Sequence, residues 1–174
     1  GGFLFRPTKR LTVFCTVLCI AWAVGMIFLL LRFVRGCVIQ RRKYRESIQI
    51  GEDMYDCFLE VCKELGIKEG KVDLVFNYKA LIPCIGGVFR CYVVLPSMEY
   101  SEEEQRVIYY HELTHYKQKN QLLKHLGFLL TVFHFFNPLV WVLQRKVTYW
   151  GEYACDDVVI PKVGGVDNYF DMID

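Results

Sequence analysis

The segment HELTH constrains this chain most, because it places His111, Glu112 and His115 in the pattern His-Glu-x-x-His. On an α-helix, residues four positions apart lie on the same face, so both imidazoles can bind one Zn²⁺ ion at about 2.0–2.1 Å. Glu112 then lies beside the metal without binding it, where its carboxylate can act as a general base toward a water molecule that the metal activates. The alternative is a surface helix that carries two solvated histidines.

The residues before this segment predict that it is helical. Ser101 is a favourable N-cap, and Glu104, three residues later, completes a capping box. We therefore expect a helix that begins near Ser101 and continues through the two histidines.

A catalytic zinc site needs three protein ligands and one open position. Glu152 is the best candidate for the third ligand, and Asp156 follows it by one helical turn. The glutamate can complete a His₂Glu site, while the aspartate can accept the free N–H of a ligating histidine. Acidic pairs on helices usually face solvent, so that alternative stays open. The other histidines, His125 and His134, have no partner at metal-binding spacing; we expect His125 to be solvated and His134 to lie in the core or face lipid.

A second constraint comes from Leu11 to Leu31, which is 21 residues without a charge. As a helix this run is about 31 Å long and matches a hydrocarbon core of about 30 Å, so it predicts a transmembrane helix. A cleaved signal peptide is the competing interpretation, but the run is too long and no small-residue cleavage site follows it.

We expect an N-terminal segment, 1–35, and a metallopeptidase domain, 36–174, that is truncated at its C-terminus. The flank after the Leu11–Leu31 run is richer in basic residues than the flank before it. By the positive-inside rule, this difference places the domain in the cytoplasm. The basic residues are Arg6, Lys9 and Arg10 before the run, and Arg32, Arg35, Arg41, Arg42, Lys43 and Arg45 after it.

The remaining segments predict an α+β fold. Residues 50–65 have helical spacing of apolar side chains, Val72 to Phe76 has strand character, and Leu81 to Leu95 is typical of two antiparallel strands joined around Gly86-Gly87. Pro83 and Pro96 are compatible only with an edge strand or a strand end. An edge strand beside the metal helix can bind an extended peptide, although a purely structural hairpin is equally consistent with the pattern.

The apolar run from Leu126 to Leu143 is interrupted by Asn137-Pro138. Proline removes a backbone donor and clashes with the preceding turn, so the run should break there. Because His115 and Glu152 must approach the same ion, we predict a helical hairpin that returns the chain, with an apolar tip against the Leu11–Leu31 helix or in lipid.

Charge and cysteine content narrow the classes of protein. The net charge of +2, with scattered Lys and Arg, argues against nucleic-acid binding. There are eight cysteines but no C-x-x-C pair, and two of the cysteines lie in the apolar run. We therefore expect reduced thiols that do not bind zinc.

From about Tyr78 to Ile160 the chain resembles the BlaR/MecR-type membrane metallopeptidases of the gluzincin class. The resemblance rests on the order and spacing of a hairpin ending in VVLP, then SEEEQ, YYHELTHYKQKN, FNPLVWVLQRK and EYACDD. It implies zinc ligation by His111, His115 and Glu152, Glu112 as catalytic base and, through the wider class, Asp156 as the partner of a zinc histidine. Two departures are Asn120, where relatives often have Asp, and Gly151, where a charged residue is common; we expect them to affect substrate contacts or helix capping.

The resemblance also implies a zincin-like domain in the bacterial plasma membrane that faces the cytoplasm and cleaves a repressor or itself in signal transduction linked to antibiotic resistance. The implied partners are a protein or peptide substrate and the lipid bilayer, and a homodimer is left open. Two alternatives are a non-catalytic metal-binding scaffold and a zinc peptidase that trims prenylated or misfolded membrane proteins.

Overall fold

The structure is a computed structural model and describes residues 8–50, 52–87, 90–96 and 99–162. The outer ends of the two predicted domains, 1–7 and 163–174, lie outside the described residues. Helices and a sheet coexist, which confirms the α+β class. In chain order the elements are α1 (Lys9–Arg45), β1 (Ile48–Gln49), α2 (Glu52–Glu64), β2 (Val72–Phe76), β3 (Cys84–Gly86), β4 (Cys91–Leu95), α3 (Glu102–Lys117), α4 (Asn120–Phe133), α5 (Pro138–Val159) and a 3-10 turn, Ile160–Lys162.

The sheet has the strand order β1-β2-β4-β3. Strands β3 and β4 pair antiparallel, with Ile85 opposite Val93, as the predicted hairpin requires. The expectation of a purely antiparallel sheet is incomplete, because β4 lies between β2 and β3 and pairs parallel with β2. Every residue of β4 is buried, as is usual for a central strand. Strand β3 is left at the edge, where Pro83 precedes it and is tolerated.

The main core lies between the sheet and two helices, α2 and α3. Phe58 and Val61 of α2 and Tyr109 and Leu113 of α3 are at most 1% exposed. Each buried side chain of this size contributes about 1.5–3 kcal/mol of transfer free energy. Because Tyr109 and Leu113 are buried in this core, the rotation of α3 about its own axis is fixed. The adjacent face of the helix therefore also has a fixed orientation.

Helix α1 is long and apolar enough to span a membrane, by length and composition. Its 37 residues correspond to about 55 Å, which exceeds a hydrocarbon core of about 30 Å. The C-terminal end of α1 therefore continues into the domain. There Tyr44 donates a hydrogen bond to Asp73 at 2.9 Å and stacks on Tyr92.

Helices α4 and α5 form the predicted hairpin, and the break falls at Asn137-Pro138. Asn137 caps α5 by accepting a hydrogen bond from the Leu139 amide at 3.0 Å, and proline occupies the first turn, where a missing N–H costs nothing. The Gln144 side chain donates to the Lys124 carbonyl at 3.2 Å, so the two arms run side by side.

The tip of this hairpin packs on α1, as predicted. The indole N–H of Trp22 donates to the Phe133 carbonyl at 3.1 Å, and the Phe135 ring lies directly against Gly25. Further toward the domain, Phe33 stacks on Phe128 with ring centroids 5.0 Å apart. The hairpin is therefore held against the apolar helix α1 at its tip and along its first arm.

Candidate metal centre

Helix α3 holds the His-Glu-x-x-His residues in a fixed orientation. Its N-terminus has the expected capping box, in which Ser101 N–H donates to Glu104 at 2.7 Å and the Glu104 amide donates to Ser101 Oγ at 3.3 Å. Tyr109 and Leu113 anchor one side of the helix in the core. The two histidines consequently face α5 and the edge strand β3.

The hairpin brings Glu152 of α5 to both histidines. Nε2 of His115 lies 3.0 Å from Oε2 of Glu152, and Nε2 of His111 lies 3.5 Å from the same oxygen. One ligand atom from each of these three residues falls within 4.8 Å of the others. The structure thus brings together the three residues that the sequence suggested as metal ligands.

The donor set and two of the three ligand separations suit a tetrahedral zinc ion. Two atoms bound to one ion at about 2.0–2.1 Å and at tetrahedral angles are about 3.3–3.4 Å apart. The two histidine-to-glutamate distances, 3.0 and 3.5 Å, lie on either side of this value. Two imidazoles and one carboxylate also form a donor set that leaves the fourth position for water or substrate.

Asp156 contacts His111 on the other side of its ring. Its Oδ1 lies 3.3 Å from Nδ1 of His111. A carboxylate at this position accepts the Nδ1–H and leaves the Nε2 lone pair directed toward Glu152. The geometry is the one expected for a residue that orients a metal-binding histidine.

His115 has a different set of neighbours, which the sequence did not indicate. Its Nδ1 lies 2.9 Å from Nδ2 of Asn120 and 3.1 Å from Sγ of Cys155. Asn120 also donates to the Gly151 carbonyl at 3.3 Å, so both departures from the family pattern meet beside this histidine. Asn120 is buried and begins α4, and it contacts a predicted metal ligand directly, while its expected effect on substrate contacts or helix capping stays a prediction. Burial lowers the pKa of His115 to about 4, so at neutral pH the ring is in the neutral form that binds metals.

Glu112 points into the same cavity and is 8% exposed. Burial raises the pKa of Glu112 to about 7, and a hydrogen bond from the backbone amide of Ile85 in β3 opposes this rise. Gln121 donates to the carbonyl of the same Ile85 at 2.8 Å. Strand β3 is thus an edge strand beside the candidate metal centre, as expected. The backbone N–H and C=O of its Ile85 are hydrogen-bonded to the side chains of Glu112 and Gln121.

Lys124 is a further member of the site that sequence reasoning missed. Its Nζ lies 3.1 Å from Oε1 of Glu152, the oxygen that does not face the histidines. Burial alone would raise the pKa of Glu152, but the charges of His115 and Lys124 outweigh it and lower that pKa. Since His115 is neutral at neutral pH, the Lys124 ammonium is the lasting contribution. It keeps Glu152 ionised and ready to bind a cation.

These groups line one cavity of about 570 Å³ between α3, α4, α5 and β3. Its acidic and imidazole side chains come from the helices, whereas its apolar side chains come from the β3 segment and from α3. The lining residues are Ile82, Pro83, Cys84, Ile85, Val107, Ile108, His111, Glu112, His115, Gln121, Lys124, Glu152 and Asp156.

The predictions for the cysteines and the two remaining histidines have mixed outcomes. All eight cysteines are free, as expected. His134 is exposed, so it does not lie in the core, which was one of its two expected positions. The prediction that His125 is solvated was wrong, because its ring packs edge-on against Phe33 of α1 and its Nδ1 lies 2.6 Å from the Gln121 carbonyl. This contact depends on how α4 packs on α1, which no local pattern reveals.

Two comparisons with known proteins bear on this site. Residues 7–165 match the family model described as BlaR1 peptidase M56. The chain is also similar to the regulatory protein BlaR1 of Bacillus licheniformis, with 30% identity over 143 residues. That alignment covers 80% of this chain but only 24% of the relative, so the chain spans about a quarter of the length of the curated protein it matches.

Proposed function

The chain belongs to the BlaR1 peptidase M56 family, and we propose that it is a membrane-anchored, zinc-dependent endopeptidase that cleaves a cytosolic regulator or itself in signal transduction. The family is one of metallopeptidases associated with membranes, and the chain has one apolar helix able to span a membrane. The identity of the metal, the substrate and the orientation in the membrane are parts of the proposal.

One structural observation gives the strongest support to the proposed peptidase function. His111, His115 and Glu152 place ligand atoms within 4.8 Å of one another, and Glu112 lines the same cavity without belonging to this group. A metal that only stabilises the fold would be held by four protein ligands and would not need a buried carboxylate beside it. The arrangement therefore favours a catalytic centre over a non-catalytic scaffold.

In the proposed reaction, each residue of the site has its own role. His111, His115 and Glu152 would hold the ion, which when bound supplies a Lewis acid that polarises a carbonyl and lowers the pKa of water to about 7. Glu112 takes the proton from the attacking water and delivers it to the leaving amine. Asp156 keeps Nδ1 of His111 protonated, so that Nε2 remains free as a ligand.

The contact between α1 and the sheet supports a cytoplasmic domain. Tyr44 hydrogen-bonds to Asp73, and Tyr92 donates to the Gln40 carbonyl at 3.3 Å, so the domain lies at the C-terminal end of α1. This is the end that carries the larger cluster of basic residues. By the positive-inside rule it faces the cytoplasm, where a repressor would be accessible.

Cleavage by the purified protein in detergent micelles tests the proposal. A mixture of internally quenched peptides should be hydrolysed, hydrolysis should stop when a chelator removes the metal, and stoichiometric Zn²⁺ should restore it. N-terminal sequencing of any fragments of the chain itself would locate self-cleavage. Hydrolysis that survives complete metal removal would contradict the proposal, as would a zinc-loaded protein that cleaves neither the peptides nor itself.

A further inference from the structure

A second cavity, of about 620 Å³, adjoins the metal centre. It lies where the loop before β2, the end of β3 and the turn between α3 and α4 meet. Four of its lining residues are lysines and none is acidic; they are Lys68, Lys71, Lys117 and Lys119. We call it the lysine cavity.

In the described part of the chain, some other cationic residues of the domain pair with carboxylates, unlike these four lysines. Arg106 pairs with Glu60 and Glu64, Lys79 pairs with Glu46, and Lys124 pairs with Glu152. Within the described ranges, none of the four lysines of the cavity forms an ion pair with a carboxylate of the chain. Like charges gathered at one concave surface repel each other and raise the local concentration of anions. The cavity is therefore electrostatically suited to an anionic ligand.

The backbone at Lys119 is an independent observation. Its φ of 57° is left-handed, and among the described residues it is the only non-glycine with a positive φ. A non-glycine residue in this region costs about 1–2 kcal/mol, so glycine or asparagine is the usual choice at such a turn. Strain of this kind concentrates at functional sites. Here it places a lysine, rather than a glycine, at the rim of the cavity.

The lysine cavity is continuous with the candidate metal centre along the edge strand. Both cavities share Ile85, His115 and Gln121 in their linings. The metal centre extends from Ile85 back to Ile82, whereas the lysine cavity extends from Ile85 forward to Gly87. An extended peptide that follows β3 advances about 3.3 Å per residue, so side chains two to four residues apart can reach the two cavities.

We propose that the lysine cavity binds acidic side chains of the peptide substrate, at positions about two to four residues from the bond that is cleaved. The inference rests on the proposed peptidase function and adds a substrate class to it: segments in which Asp or Glu residues lie close to the scissile bond. A metal bound there would act on backbone carbonyl and amide groups, which every peptide substrate has in common. Charge selectivity is therefore supplied by the lysine cavity.

Binding to an inactive variant tests this without depending on cleavage. The zinc-loaded Glu112→Gln protein, as the full chain in neutral detergent, is titrated into two fluorescein-labelled ten-residue peptides, one with three central Glu residues and one with Gln at the same positions. Fluorescence anisotropy should show at least tenfold tighter binding of the Glu peptide at low ionic strength, and the difference should shrink as salt is added.

Matched charge removal locates the effect. The triple variant K68Q/K71Q/K117Q should lose the tenfold preference while binding the Gln peptide as before. The control K63Q/K146Q/K162Q removes the same charge from exposed or half-buried positions that do not line the cavity, and it should keep the preference. The proposal is overturned if the parent shows no preference, if the cavity variant keeps it, or if both triple variants lose it equally.

Two further readouts distinguish a peptide-binding cavity from a purely structural turn and from a lipid-binding surface. Lys119→Gly removes a charge and a strained backbone together, so it should weaken Glu-peptide binding without lowering the melting temperature, a result that a purely structural role would not give.

Vesicles with and without phosphatidylglycerol test a lipid ligand. If the cavity variant loses vesicle binding but keeps its peptide preference, the cavity faces lipid and the proposal is wrong. A protein that shows the charge preference but cleaves nothing would refute the peptidase function and leave the anionic site standing.

Discussion

Nδ1 of His111 lies 3.3 Å from Oδ1 of Asp156, and Nε2 of the same ring lies 3.5 Å from Oε2 of Glu152. Both carboxylates belong to α5, one turn apart, and contact the two nitrogens of one imidazole. The ring is therefore held at both edges by one helix. This makes the helical hairpin, which delivers α5 to α3, as important to the site as the His-Glu-x-x-His helix itself.

Replacing Asp156 should weaken zinc binding without abolishing it. Asp156→Ala removes the acceptor for the Nδ1–H of His111, and the loss of such a partner typically costs about 10- to 100-fold in metal affinity. Competition with a chromophoric zinc chelator measures the change. The neighbouring substitution Asp157→Ala, at an exposed position outside the cavity, is the control and should leave the affinity unchanged. Equal effects of the two substitutions would refute the role of Asp156.

Glu112→Gln should keep the metal and the fold but lower the cleavage rate by about 100-fold or more, because a general base contributes about 10²–10⁴-fold. The amide has nearly the same size and can still contact the Ile85 backbone, so the cavity should be preserved. The measurements are metal content, melting temperature and the rate of peptide hydrolysis on the same preparation. Cleavage at the wild-type rate would exclude Glu112 as the base.

The hairpin predicts that both of its arms open to the same side of the membrane. The side chain of Gln144 hydrogen-bonds to the Lys124 backbone, so residues near 124 and near 144 lie at similar depth, and the chain enters and leaves the hairpin on the same side. Lys117→Cys and Lys146→Cys, each in a background without the exposed Cys15, Cys19 and Cys84, should react with an impermeant maleimide only when it is added to the cytoplasmic side. Labelling of the two positions from opposite sides would contradict the hairpin and exclude Glu152 as the third ligand.

The contact between the hairpin tip and α1 can be tested with two glycines of the same helix. A Cβ added at Gly25 would clash with the Phe135 ring, whereas one added at Gly36 meets nothing within 4 Å. Gly25→Ala should therefore destabilise the protein by about 1–3 kcal/mol through overpacking, even though alanine is the better helix former. Gly36→Ala should be neutral or stabilising. Thermal unfolding in detergent compares them, and equal shifts would mean that the tip does not pack at Gly25.

Local patterns were sufficient for the elements that carry the site. The capping box at Ser101, the strand at Val72–Phe76 and the break at Asn137-Pro138 all depend on neighbours within a few residues, and each was predicted from the sequence. The helical hairpin followed from a geometric requirement, since Glu152, as the proposed third ligand, had to return to the histidines.

Contacts between distant segments could not be predicted in the same way. The parallel pairing of β2 with β4 depends on which strand is inserted at the centre of the sheet, and the continuous apolar run of β4 was the one available signal. The contacts of Asn120 and Cys155 with His115, and of Lys124 with Glu152, result from how α3, α4 and α5 pack on one another. No periodicity within any one of these helices predicts the three contacts.

Zinc K-edge X-ray absorption on the purified, zinc-loaded chain tests the central claim most directly. Two imidazoles and one carboxylate predict a shell of nitrogen and oxygen atoms at about 2.0–2.1 Å, with the multiple scattering of two histidine rings and no sulfur at about 2.3 Å. Glu152→Ala should lose bound zinc or show a changed shell. The thiol of Cys155, 3.1 Å from Nδ1 of His115, and the thiol of Cys84, which lines the cavity, are competing sulfur ligands. A sulfur shell, or a spectrum and zinc content that Glu152→Ala leaves unchanged, would contradict the assignment of His111, His115 and Glu152.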